Sequence, residues 1–343
     1  MATQLYANLD EAVEQTTPTI QHIAREVWQL AELSLQEVQS AQLIMDILQE
    51  QGFTITSRGT TGIPTAFIAE YGSGTPTLGI LVEYDALPGL GNEPVPYREP
   101  RKDRVTSGHG CGHNLLGAAS IGAAIALKNV MTEQQIPGTL RVYGCPAEET
   151  EGAKIYMARE GLFNDVDAAL HWHPGSLARV TNYRSTAVDQ VKIEFFGKSA
   201  HAAGAPWLGR SAVHAAELFA HGVNLMREHV EPSARLHYIY ERGGMAPNVV
   251  PDYARLSLYV RDSDREHVEA STAWVKQIAE GAALATQTSA KVLVYTGLYD
   301  LLPNSPLAER MQVHLERVGV PAYSEEEQAF AKEIQQNFGV ESE

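Results

Sequence analysis

At 343 residues, with 44% apolar and 20% charged side chains, the chain has an ordinary globular composition and is long enough for two domains. Its 26 Lys and Arg stand against 42 Asp and Glu, and a net charge of −16 excludes the positive surface that nucleic acid or an anionic membrane requires. Two cysteines make no disulfide framework, "MATQLYANLDEAVEQ" carries no leader pattern, and no apolar run is expected to approach membrane-spanning length, so a cytoplasmic protein with free thiols is expected.

Helical spacing opens the chain. Ile20, Ile23, Val27 and Leu30 recur on one helical face, as do Leu43, Ile44, Ile47 and Leu48, and Gly52 is placed to stop the second helix. Strands and helices then alternate. "PTLGILVEYDAL" is a short apolar run broken after Val82 by acids, and "NLLGAASIGAAIALK" predicts a helix whose small residues permit close packing. "GTLRVYG" predicts a strand, "GAKIYMAREGLF" a helix and "VDAALHW" another strand. This alternation implies an α/β fold with a largely parallel sheet covered on both faces.

The pattern then changes. "AVDQVKIEFFG" alternates as a strand, a helix follows through "SAVHAAELFAHGVNLM", and "ARLHYIYERG" and "YARLSLYVR" read as two more strands. The helix "HVEASTAWVKQIAEGAAL" and the strand "SAKVLVYT" complete a β-α-β-β-α-β order, that of a ferredoxin-like α+β module. Its expected span is 185–296, inserted into a domain made of 1–184 and 297–343. "SPLAERMQVHLERVG" returns to a surface helix, and "SEEEQAFAKEIQQNFG" predicts another, with Ser324 and Glu327 as a capping box.

Three reactive clusters follow predicted strands directly: Glu83 and Asp85 in "LGILVEYDA", Glu148 and Glu149 in "CPAEETEG", and His171 and His173 in "LHWHPG". Cys111 and His113 of "SGHGCGHN" stand at the entry to the small-residue helix. In open α/β sheets the carboxyl ends of strands line the ligand crevice, so four distant segments converge on one edge. Alone, the C-x-H element could be a loop, the paired glutamates a solvated face, and the two imidazoles packing groups. Together, thiolate, imidazoles and carboxylates suit zinc, manganese or a related divalent ion. More than four candidate ligands allow two ions, able to polarise a carbonyl and activate water, with one glutamate on metal and its neighbour taking the proton. Glycines at 108, 110 and 112 would let the backbone bring Cys111 and His113 close. A thiol enzyme built on Cys111 or Cys145 is the alternative, but it leaves the glutamates without a task. Cys145 is expected to be a buried packing residue.

"EYDALPGLGN", "GHGCGHNLLGAAS", "YGCPAEETEGAK", "HWHPG", "GKSAHAA" and "GGMAPNVVPDYARLSLYVR" resemble, in order along nearly the whole chain, the metallopeptidases of family M20. More narrowly they resemble its amidohydrolase branch, subfamily D, and there the aminobenzoyl-glutamate utilization protein B subgroup. The resemblance implies a zinc-peptidase-like mixed sheet covered by helices and an inserted ferredoxin-like lid that also dimerises. It implies Cys111, His113 and Glu149 as metal ligands, Glu148 as general base, and Asp85 as the acid that orients a ligand. The wider pattern H-x-D-P selects His171 as a further ligand and the nearer W-H-P selects His173, which is favoured. From the lid, His201 is expected to stabilise the tetrahedral oxyanion, often in the partner subunit's site, and Asn248 or Arg261 to hold a substrate carboxylate. Family members contribute a last histidine ligand and further strands from a C-terminal part of the catalytic domain. No histidine follows His314 here, so that part is expected to be missing. The implied activity is amide hydrolysis of an N-acyl amino acid, p-aminobenzoyl-glutamate first, with two divalent ions, zinc or manganese. Other expectations are a dipeptide or another acyl-amino acid as substrate, or a non-catalytic subunit. A homodimer through the lid is implied, or a heteromer with a related subunit.

Overall fold

The computed structural model describes residues 2–340; Met1 and residues 341–343 of the expected first domain lie outside them. The chain divides into two compact units, 1–178 with 320–343, and 179–319.

In the first unit, the expected helices run over Ala2–Leu30 (α1) and Val38–Glu50 (α2), and Gly52 follows α2 at φ +89°. A hairpin that the sequence reading passed over comes next, Thr54–Arg58 (β1) and Phe67–Ser73 (β2), paired antiparallel. Then follow Thr77–Val82 (β3), His113–Gln134 (α3), Gly138–Gly144 (β4), Ala153–Arg159 (α4) and Ala168–Leu170 (β5). The sheet order is β1-β2-β4-β3-β5. Only β4, β3 and β5 run parallel, while β2 joins β4 antiparallel, so the sheet is mixed rather than largely parallel. The parallel part is the one followed by reactive residues.

Both faces of this sheet are covered. Leu140 and Val142 of β4 join Ile23, Val27, Ile44, Leu48 and Ile121 in one core, under α1, α2 and α3. Tyr143 points the other way, with Ile68, Cys145 and Met157 beneath α4, as a strand period of two demands. The 22-residue α3 corrects one expectation, because by length and composition it is apolar enough to cross a membrane. Its apolar stretch serves packing: the window is mostly buried, and a Cβ on Gly117 would lie 2.7 Å from the carbonyl oxygen of Glu83. That close approach sets the start of α3 against the end of β3.

In the second unit, Ala187–Phe196 (β6), Ala212–Met226 (α5), Arg235–Arg242 (β7), Tyr253–Asp262 (β8), Arg265–Thr286 (α6) and Ser289–Leu298 (β9) follow in the order read from the sequence. The antiparallel sheet runs β7-β8-β6-β9. Val191, Ile193, Phe195, Leu256, Leu258 and Val260 form one core with Phe219 of α5 and Val275 of α6. The alternate residues of β8, among them Tyr259 and Arg261, line the other, half-exposed face.

The helix Ser305–Val318 (α7) belongs to this unit, whose limits fall at 178/179 and 319/320, beside the expected domain limits of 184/185 and 296/297. Side-chain ties join its two edges: Asn182 donates to Ser305 Oγ at 3.0 Å, and Ser185 Oγ accepts from the Leu301 amide at 2.9 Å. The last helix, Glu325–Asn337 (α8), carries the expected capping box, Glu327 N–H to Ser324 Oγ at 3.2 Å and Ser324 N–H to Glu327 Oε2 at 2.7 Å.

Candidate metal centre

Three neighbouring parallel strands end together. Val82 is paired with Gly144 and Ile80 with Leu170, so Glu83, Cys145 and His171 are the first residues past β3, β4 and β5. The Cys145 amide still bonds to Val82 O at 2.8 Å, carrying the ladder one step into the glutamate loop. Position in the sheet thus gathers side chains that lie up to 90 positions apart in sequence, Glu83 to His173.

Fully buried His113, the first residue of α3, is the hub of this cluster. Its Nδ1–H donates to Asp85, at 2.9 Å to Oδ1 and 3.1 Å to the backbone oxygen, which aims Nε2 at the other acids. Asp85 also accepts from Ser34 Oγ at 2.9 Å and the Glu149 amide at 3.1 Å. Burial pushes the Asp85 carboxyl up, but these bonds outweigh it and hold the group below its ordinary value. Burial likewise opposes charge on His113, and the bond to Asp85 with the surrounding carboxylates reverses that, raising the imidazole.

Around His113 Nε2 stand Glu83 Oε2 at 3.2 Å, Glu148 Oε2 at 3.8 Å and Glu149 Oε1 at 4.0 Å. Glu83 Oε2, His113 Nε2 and Glu149 Oε1 are buried and have no hydrogen-bond partner among the described residues. Each such orphan costs about 1–3 kcal/mol unless something fills its lone pair. A divalent cation is what an imidazole nitrogen and carboxylate oxygens facing one another would satisfy, so these residues fit one. Among the described residues, two sets of donors lie close enough to share an ion: Cys111, His113 and His173, and Glu83, His113 and Glu148. One Nε2 lone pair serves one ion, so the sets overlap at His113.

Burial distinguishes the two glutamates where distance does not. The Glu148 side chain is 39% exposed and that of Glu149 19%, so Glu148 is the one within reach of water. Burial, then the neighbouring Glu83 charge, raise the Glu148 carboxyl, a shift toward a proton-accepting base.

Cys111 Sγ lies 3.2 Å from His173 Nε2. Gly112, at φ +77°, makes this approach possible, because a Cβ there would come within 2.8 Å of Pro174 Cγ. The other two glycines of the loop act differently: neither has positive φ, and a Cβ on Gly108 would meet Leu90 O at 2.2 Å. Burial, then Glu149 and the other carboxylates, push the Cys111 thiol up to about 12, the reverse of what a nucleophilic thiolate needs. His171 stands apart from Cys111, with Nε2 3.6 Å from Glu83 Oε1.

Some residues of the motifs are packing groups. His109 bonds through Nε2 to Val27 O at 2.9 Å, and burial brings it down to about 4, so it is a neutral core imidazole. Cys145 is fully buried, with Sγ 4.0 Å from Met157 Sδ, as expected. Sequence reading missed Lys154, which pairs with Glu83 Oε1, and Glu37, a wholly buried acid. The rule that a buried acid needs a cation could have marked Lys154; Glu37 lies in a helix start with no chemical signature.

In the second unit, His201 and Asn248 lie together. The Ala202 amide bonds to Asn248 O at 3.0 Å, and His201 pairs with Val249 in a β-bridge. His201 Nδ1 accepts the amides of Ala203 and Gly204 at 3.2 and 3.0 Å, which leaves the proton of the neutral ring on Nε2. Arg261 is not with them. It lies near the far end of β8, over the Tyr259 ring at 5.3 Å, on the order of 25 Å along the strand from Tyr253. Asn248 and Arg261 of one chain therefore do not grip one carboxylate.

The family model for peptidase family M20/M25/M40 matches residues 79–337. The B-type subunit of p-aminobenzoyl-glutamate hydrolase from Escherichia coli is 41% identical over 333 residues, 97% of this chain and 69% of that protein. The human Xaa-Arg dipeptidase is 27% identical over 332 residues, 92% of this chain and 72% of the relative. Among solved structures, an aminobenzoyl-glutamate utilization protein from Klebsiella pneumoniae superposes with a TM-score of 0.70 at 20% identity, covering 97% of this chain and 91% of that one. A dinuclear metal-binding M20 peptidase from Bacillus subtilis gives 0.65 at 23% identity, covering 92% and 82%. Motif order, match length and shared fold agree: the chain belongs to peptidase family M20/M25/M40.

Proposed function

We propose that the protein is a metal-dependent amidohydrolase that cleaves p-aminobenzoyl-glutamate to p-aminobenzoate and glutamate. The observation that carries this reading is the set of buried, unpartnered donors around His113 at the ends of β3, β4 and β5. The substrate comes from the Escherichia coli hydrolase relative, 41% identical over nearly the whole chain. Cys111, His113, Glu149 and His173 would hold divalent ions, probed first with zinc and manganese, which supply Lewis acidity toward the carbonyl and toward water. Glu148 takes the proton of the attacking water and passes it to the leaving nitrogen. Asp85 fixes the His113 ring, and Lys154 offsets the buried Glu83 charge.

His201 is proposed to donate Nε2–H to the oxyanion, with Asn248 beside it, while Arg261 binds the glutamate carboxylate in bidentate fashion. Their separation along β8 suits a homodimer in which His201 and Asn248 of one copy and Arg261 of the other address one substrate. A further relative, from Haemophilus influenzae, is named as a homolog of the A-type subunit of p-aminobenzoyl-glutamate hydrolase and is 28% identical over 234 residues. Such a related chain is therefore the alternative partner.

The test is release of p-aminobenzoate by purified protein loaded with manganese or zinc. Release that chelation abolishes supports the reading. Turnover of Xaa-Arg dipeptides alone would move the substrate to the dipeptidase branch, and a protein with neither bound metal nor turnover would be a non-catalytic subunit.

A further inference from the structure

We infer that Glu37 is a positioning residue for the catalytic glutamate loop, acting through the backbone of Ala147. The inference rests on the assignment of Glu148 as base, since it concerns what holds that residue in place. Glu37 is the N-cap of α2, with no solvent exposure and no cation among its hydrogen-bonding partners. A carboxylate in that setting is costly unless it accepts strong hydrogen bonds. It accepts two, from separate loops: Oε1 from the Ala147 amide at 2.8 Å, and Oε2 from Thr65 Oγ1 at 3.0 Å.

Ala147 explains the need for such a bond. It precedes Glu148 and has φ +53°, a left-handed conformation that a non-glycine residue adopts only when its surroundings enforce it. The loop is pinned at alternate amides: Cys145 by Val82 O at 2.8 Å, Ala147 by Glu37, and Glu149 by Asp85 Oδ2 at 3.1 Å. Two of these anchors are acids, Glu37 at the start of α2 and Asp85 just past β3, so Glu148 emerges from a turn held on both sides. The Glu37 contact also reaches the middle of the "EYD" motif, because Tyr84 donates to the Thr65 carbonyl at 2.7 Å.

Three variants of the metal-loaded protein test this. Glu37→Gln keeps an oxygen for the Ala147 amide and turns its NH2 to the Thr65 hydroxyl, which can accept; kcat should stay within about threefold of wild type. Glu37→Ala should lower kcat at least tenfold with KM within about twofold and metal content unchanged, and should speed amide exchange across 145–149 at least tenfold. Thr65→Val removes the other bond alone, and should lower thermal stability while leaving kcat near wild type. Retention of kcat and amide protection in Glu37→Ala overturns the inference. So does equal loss in Glu37→Gln, which would make the charge, not the bond, the requirement. If Glu37→Ala does not fold, wild-type exchange decides: Ala147 and Glu149 amides should be protected, and free exchange at Ala147 ends the proposal. Failure of the functional reading is separable, since it leaves the wild type without turnover while the exchange measurement still scores Glu37.

Discussion

Adjacent residues of one type carry different tasks here because the backbone points them at different surroundings. Glu148 and Glu149 lie within 0.2 Å of the same distance from His113 Nε2, at 3.8 and 4.0 Å, yet the buried, unpartnered oxygen belongs to Glu149. Glu148→Gln should therefore cut kcat by about a hundredfold or more and leave metal content near wild type. Glu149→Gln should lose metal first, seen by elemental analysis after gel filtration; the opposite pattern would exchange the two assignments. The imidazoles divide in the same way. His173 meets Cys111 Sγ, whereas His171 faces Glu83 and burial lowers its basicity. His173→Ala should weaken manganese or zinc binding by about tenfold or more, and His171→Ala much less, in a calorimetric titration. An equal loss in both variants would restore the wider family pattern as a rival.

Elements matter through where they stop. Only three of five strands in the first sheet run parallel, but those three end side by side, and each is followed at once by an acid, a thiol or an imidazole. This much was legible in the sequence, since the apolar runs before Glu83, before the glutamate pair and before His171 stop at their reactive residues. The β1–β2 hairpin was not, because β1 is polar and half-exposed and gives no core-facing pattern. Nor was the role of Glu37 or Lys154, which depends on contacts across 110 positions, Glu37 to Ala147, and 71 positions, Glu83 to Lys154. Residue type and spacing report which chemistry is available; three-dimensional pairing decides which copies of a residue use it, as His109 and His113 illustrate only four positions apart. Asp85 is where three segments are tied, accepting from Ser34 in the loop before α2, from His113 at the start of α3 and from the Glu149 amide within the glutamate loop. Asp85→Ala frees all three at once, so metal affinity should fall about ten- to hundredfold while a far-ultraviolet spectrum stays native. Unaltered affinity would show that the His113 ring needs no such brace.

At the scale of the whole molecule, the distribution of proposed substrate contacts within the second unit makes a claim about assembly. His201 and Asn248 sit before the start of β8 and Arg261 near its end, so one copy of this sheet presents them about 25 Å or more apart. An acyl-glutamate is far shorter than that, and the two contacts reach one molecule only if separate copies supply them. In a two-fold dimer each substrate would then see His201 from one chain and Arg261 from the other. Mixing makes this measurable. In the proposed homodimer, His201→Ala and Arg261→Ala should each be at least a hundredfold less active than wild type. When the two variants are unfolded, mixed in equal amounts and refolded, half the dimers are mixed, and one of their two sites receives both intact residues. Activity should return to about a quarter of wild type. If His201 and Arg261 serve the same site from one chain, every site in the mixture carries a defect, and activity stays at the level of the single variants.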